Sequence, residues 1–157
     1  VKNKSAISVE SKNGFYFLKG SKEMVSKRVA REKISRSKFK IARRAGNVLA
    51  KIPTIKMIGI TGALAMNNAD KNSDIDLMIV TSRGSLWTTR LLVYLLLFFT
   101  DLKLRRPKER VEKDRLCLNM WMDEFDLVIK KRNIFTAHEI AQINPLVNKN
   151  KSNSFFM

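Results

Sequence analysis

Two carboxylates, Asp74 and Asp76, stand one residue apart at the head of the apolar run Ile75-Asp76-Leu77-Met78-Ile79-Val80, in a chain whose formal net charge is +17. On a strand, alternation of side chains puts both on one face, about 6–7 Å apart along the chain. Bare carboxylates at that spacing repel. A folded chain must therefore raise the pKa of one, supply Arg or Lys partners, or hold a cation between them. Mg²⁺ suits an oxygen-only pair, because it is held through one or two carboxylates while keeping waters and substrate phosphates in its shell. Mn²⁺ accepts the same kind of ligand.

The residues ahead of the pair fit the other half of such a site. In IGITGALAMNNADKNSDIDLMIV, an apolar run opens onto Gly62-Ala63, crosses a polar loop and returns at Asp74. Gly62 lets backbone approach a phosphate with no Cβ in the way, and the N–H groups that open a helix at Ala63 and Leu64 point toward an anion. Ser73 ends the loop, where its hydroxyl is placed to orient the first carboxylate. A D-x-D alone is a weak signal; the small-residue turn, the ten-residue connection and the pair together are more specific.

This stretch resembles the signature of the nucleotidyltransferase superfamily, which includes DNA polymerase beta, poly(A) polymerases, CCA-adding enzymes and minimal nucleotidyltransferases. The resemblance covers about 25 residues, with weaker agreement to about residue 123. It implies an α/β fold with a mixed β-sheet flanked by helices. It also implies Mg²⁺-dependent transfer of a nucleoside monophosphate from a nucleoside triphosphate to a hydroxyl acceptor, with release of pyrophosphate. Asp74 and Asp76 would then be catalytic metal ligands, and Gly62, Ala63 and Ser73 would meet the nucleotide. Ala63 departs from the usual Ser or Gly, keeping the small size but losing a hydroxyl.

Family members carry a third carboxylate on a neighbouring strand, which here is expected at Leu116 to Met122. Its interior polar residue is Asn119, which can ligate a metal but cannot take a proton as a carboxylate does. Asp123, on the same predicted face at the strand end, is the candidate catalytic acid. A catalytically impaired module that binds a nucleotide or RNA is the alternative reading. A third is a structural basic protein in which Lys or Arg neutralises the pair.

These residues need elements to hold them. The run GFYFLKG, preceded by Asn13-Gly14, predicts a short strand or hairpin arm. From Ser21 to Lys51 the pattern predicts one basic helix, or two broken near Ser35 to Ser37, with Ile34, Ile41, Ala45, Val48 and Ile52 on its apolar face and Pro53 ending it. Strands are expected over Lys56 to Ile60, Ile75 to Thr81 and Leu116 to Met122. The last would turn Leu116, Leu118, Met120 and Met122 to one side and Cys117, Asn119, Trp121 and Asp123 to the other. A brief helical segment is expected from Leu64 to Asn68, a buried helix from about Leu86 to Leu104, and a short one from Asn133 to Gln142, with loop after Pro145.

The expected organisation is a basic helical arm over 1–52, an α/β domain over 53–145 and a tail over 146–157. The arm's Lys27, Arg28, Arg31, Lys38, Lys40, Arg43 and Arg44 are candidate contacts for RNA or another polyanion, as are Arg105, Arg106 and Lys108. With 45% hydrophobic residues the chain is expected to fold. The apolar run Leu91 to Phe99 falls well short of the roughly 20 residues of a membrane span. Cys117 is the single cysteine, which excludes an internal disulfide and suits a reducing, cytoplasmic setting. The absent initiator Met and the apolar ending at Phe155-Phe156-Met157 read as a fragment of a longer chain. His138, Trp87 and Trp121 are expected to serve packing or surface roles.

Overall fold

The structure, a computed structural model, describes residues 8–106, 112–129 and 133–149. Two β-branched, almost wholly apolar runs form its centre, β3 (Ile55–Ile60) and β4 (Ile75–Thr81), paired antiparallel. Strand β5 (Leu116–Asp123) lies parallel to β4, and β6 (Asn144–Asn148) lies antiparallel to β3 on its far side, giving a mixed four-stranded sheet in the order β5-β4-β3-β6. Two further strands, β1 (Val9–Lys12) and β2 (Phe15–Leu18), make a separate hairpin. It turns on Asn13 and Gly14, both at positive φ, as a tight two-residue hairpin turn demands.

One face of the sheet is packed by Ala42, Ala45 and Leu49 of α1 (Glu23–Leu49) and by Val93 and Leu97 of α3 (Leu86–Phe98), over Ile55, Ile58, Ile60, Leu77 and Ile79. The opposite face carries Met57, Met78, Val80 and Met122, with Leu127, Ile129 and Ile143 against them. The helix expected as an appended arm therefore belongs, in its second half, to the core. It runs unbroken through Ser35 to Ser37, and the hydroxyls of Ser35 and Ser37 donate back to the carbonyls of Arg31 and Ile34 within the helix. Its buried stripe, Ser35, Lys38, Ala42, Ala45 and Leu49, runs beside the stripe that apolarity marks.

Three of the arm's cations do structural work. Arg28 donates to the carbonyls of Met66 and Asn67, and Arg31 reaches Asn68 and Asp70. Lys38, 1% exposed, places its Nζ 2.7 Å from the Ser73 carbonyl and 2.7 Å from Asp114 Oδ1. Together with Ser35 Oγ, which accepts from Ala69 N–H, they pin the loop that leads into Asp74.

Other elements depart from expectation. Helix α2 is a single turn, Gly62–Ala65, and α3 stops at Phe98, after which the chain sends Leu102 into the core and bridges Leu104 to Leu116. Only Thr89, Val93 and Leu97 of α3 are buried; Leu91, Leu95 and Phe98 are 53–81% exposed, so the helix expected to be buried shows most of its apolar surface. Helix α4 (Ile134–Ala141) is capped by Asn133, whose Oδ1 accepts from Thr136 N–H. The expected tail begins inside β6, where Pro145 is accommodated at a bulge opposite Gly59 on an edge strand. Among the described residues no helix is long and apolar enough to cross a membrane. Lys108 and residues 150–157 lie outside the described residues.

The Lys38 ammonium gives a direct test. Lys38→Met keeps the aliphatic stem and leaves the Ser73 carbonyl and Asp114 without their donor, and it is expected to lower stability by about 2–3 kcal/mol in urea unfolding. Asp114→Asn, at the more exposed end of the pair, should cost less.

Candidate functional site

At the end of β3 the chain must reverse into β4 while leaving room for the side chains of that strand. Gly62 solves this with φ +60°, and a Cβ placed there would lie 2.5 Å from Asp76 Oδ2. The carboxylate thus packs against bare backbone, and Thr61 N–H donates to the Asp76 carbonyl at 3.1 Å. Thr61 is 1% exposed and its Oγ1 has no hydrogen-bond partner among the described residues. Strand alternation from Gly59, which packs against Met57, Met78 and Ile143, puts Thr61 on the face that carries Asp76.

One ligand atom from each of Asp74, Asp76 and Cys117 lies within 4.8 Å of the others. Cys117 enters because β4 and β5 pair in parallel with Asp76 opposite Cys117. Asn119 donates from Nδ2 to Asp76 Oδ1 at 2.9 Å, so it holds the carboxylate as a donor. Arg105 closes the other side, with Nη1 2.7 Å from Asp74 Oδ2 and a second contact from Nη2 to Glu112.

The electrostatics of the two acids differ. Asp74 has a guanidinium partner, whereas burial, then the Asp74 charge, push the Asp76 carboxyl up to about 6, and Glu139 adds to the rise. Glu139 lies on the half-buried side of α4 with Thr136, Ile140 and, beyond the helix, Ile143, while His138 and Ala141 are exposed. Its helix runs into β6, where Asn144 pairs with Ile60, two residues before Gly62. Burial also pushes the Cys117 thiol up to about 11, which keeps it neutral at pH 7. The donor set is consequently two hard carboxylates beside a protonated thiol, and it suits Mg²⁺ or Mn²⁺ better than a thiolate-seeking metal.

Several expected site residues lie elsewhere or act otherwise. Asp123 pairs with Thr81, five residues along β4 from Asp76, or about 16 Å at strand spacing. A register shift between the Asp76/Cys117 and Met78/Met120 pairs inserts one residue into β5. Beyond it Met120 and Met122 join the Met57 and Met78 face, while Trp121 packs on the α1 and α3 side with Leu118. Asp123 accordingly falls on the face opposite Asp76, and its oxygens accept from Gly84 N–H and Phe125 N–H. Ser73 gives its hydroxyl to the Asp70 carbonyl, not to a carboxylate of the pair. Ala63 lies in the single turn of α2, which is too short for a developed helix terminus. His138 Nε2 faces Gln142 on the exposed side of α4. Trp87 is 75% exposed, with Arg90 stacked between it, Tyr94 and Trp121.

Sequence reasoning missed Cys117 and Glu139. The first becomes visible only from strand register, and the second only once α4 is placed beside the sheet end. Comparison with protein-family models, curated proteins and solved structures found no match.

Two predictions test the geometry. Gly62→Ala combines a strained positive φ with a collision on Asp76, and is expected to cost about 1–3 kcal/mol in thermal or urea unfolding. For Asp76, the folded-state value near 6 exceeds the unfolded value of 3.8, so the folded state loses stability as pH rises from about 4 to 6 and carries the full penalty above that. Asp76→Asn is expected to stabilise the divalent-free protein by about 1 kcal/mol at pH 7, a value reduced from the full linkage because the carboxylate is partly solvated, and to have no such effect below pH 4.

Proposed function

We propose that this chain is a nucleotidyltransferase, moving a nucleoside monophosphate from a nucleoside triphosphate to a hydroxyl acceptor with release of pyrophosphate. The observation that carries the reading is the convergence of the Asp74 and Asp76 carboxylates at the end of the sheet, against a turn where Gly62 sits at positive φ with no room for a Cβ beside Asp76. Asp74 and Asp76 would hold Mg²⁺, which when bound neutralises triphosphate charge and favours the departure of pyrophosphate. Gly62 keeps the Asp76 carboxylate in place, and Asn119 fixes one of its oxygens. Arg105, already against Asp74, is a cation on the rim of the pair that can pass to an incoming phosphate.

In the transfer, the acceptor oxygen bonds to the α-phosphorus as the bond from that phosphorus to the bridging oxygen breaks, and pyrophosphate leaves with the electron pair. The acceptor proton needs a base. Asn119 cannot take it, and Asp123 is on the wrong face. Glu139 contributes a charge that reaches Asp76 from a separate element. A module that binds the nucleotide without turning it over is the second reading, favoured by Asn119 standing in the sheet beside Asp76.

Pyrophosphate release with Mg²⁺ and each of the four common nucleoside triphosphates separates the two. Asp74→Ala and Asp76→Ala are expected to abolish release, and Asp123→Asn to leave it near wild type. Nucleotide binding without release by the wild-type chain would establish the second reading, and absence of both binding and release would refute the site.

A further inference from the structure

Beside the acid pair lies a cleft of about 720 Å³, bounded by the end of α3 and the segment that follows it. Tyr94 and Phe98 form one wall, Lys103 and Arg106 supply cations beside Arg105, which is paired with Asp74 and Glu112, and among the described residues no acidic side chain lines it. Phe98 is 81% exposed, in an edge contact with Phe99, and Tyr94 is 41% exposed with Arg90 over its ring, so both rings keep surface that a ligand can reach. The cleft borders the acid pair through Arg105, one of its lining residues, which touches Asp74 at 2.7 Å. Exposed aromatic rings interleaved with cations match a polymer that alternates flat bases with phosphates.

We infer that this cleft binds single-stranded nucleic acid, with one end of the strand directed at Asp74 and Asp76. A single strand offers unstacked bases to Tyr94 and Phe98, and its phosphates meet Lys103 and Arg106 without sequence preference. A duplex keeps its base faces stacked and leaves the aromatic wall unused. A second copy of this chain is disfavoured, because two such basic rims repel. An anionic membrane would use the outward stripe of Leu91 and Leu95 in addition to the cleft, and is the competing outcome below. The direction of the strand end rests on the proposed transfer reaction; the binding itself does not.

The test is fluorescence anisotropy of the full chain with a labelled single-stranded oligoribonucleotide of about 12 residues and with its duplex, over a range of salt. Expected are preference for the single strand, roughly tenfold weaker binding for Phe98→Ala and for Tyr94→Ala, and a smaller salt slope for Lys103→Glu and Arg106→Glu. Circular dichroism and thermal unfolding confirm that these surface variants fold. Equal binding of duplex and single strand with no effect of Phe98→Ala would overturn the inference. So would absent oligonucleotide binding alongside Phe98-dependent, Leu91-dependent binding to phosphatidylserine vesicles. Asp76→Ala separates the two proposals: if it loses pyrophosphate release yet binds the strand as wild type does, both stand, and if the wild type binds the strand but releases no pyrophosphate, the transfer reading alone fails.

Discussion

The Lys38 ammonium is the interaction on which the geometry of the site depends. A buried charge is tolerated only where its donors are used, and here they join the loop ahead of β4, through Ser73, to the turn ahead of β5, through Asp114. Asp114 itself sits at positive φ, and its N–H returns to the Ser73 carbonyl, so the two strand starts are tied both to the helix and to each other. Parallel strands have no hairpin to set their register. A three-way knot at their heads performs that task, and the placing of Asp76 opposite Cys117 follows from it.

The acid pair is electrostatically unfinished in a way that the whole-chain charge would not suggest. In a molecule of net charge +17, Asp76 still holds its proton more tightly than an ordinary carboxyl. The cations are abundant but are committed elsewhere: Arg28 and Arg31 brace the loop, Arg44 pairs with Asp101, and Arg105 turns to Asp74 and Glu112. Net charge attracts anions over a distance, whereas the state of one carboxylate is decided within a few ångströms by desolvation and its immediate neighbours.

Much of the sheet was legible because β3 and β4 are β-branched apolar runs bounded by Gly62 and by polar loop residues, and β4 has the bounds that its letters predict. Asp74, Asp76 and Gly62 were legible for the same reason, as local features within one connection. What failed was non-local. The β5 bulge has no signature in Leu116–Asp123 itself, and it moves Asp123 to the opposite face. The inner stripe of α1 contains Ser35 and Lys38, which apolar periodicity assigns to solvent; their partners are 34 and 76 residues away. Strand β6 was hidden by Pro145 and by a polar composition that pairing with β3 overrides. The charge that Glu139 exerts on Asp76 was not legible either, since it depends on the return of the chain from α4 into β6.

The single inserted residue in β5 divides that strand into two lengths with separate obligations. Cys117 and Asn119 answer to Asp76, while Met120, Trp121 and Met122 answer to packing on both sides of the sheet. Without the insertion, every exchange at the polar end would be tied in phase to the apolar end, because alternation admits no independent choice. With it, the chemistry beside the acids can be altered residue by residue while the buried layer keeps its phase, so one strand serves as two modules joined end to end.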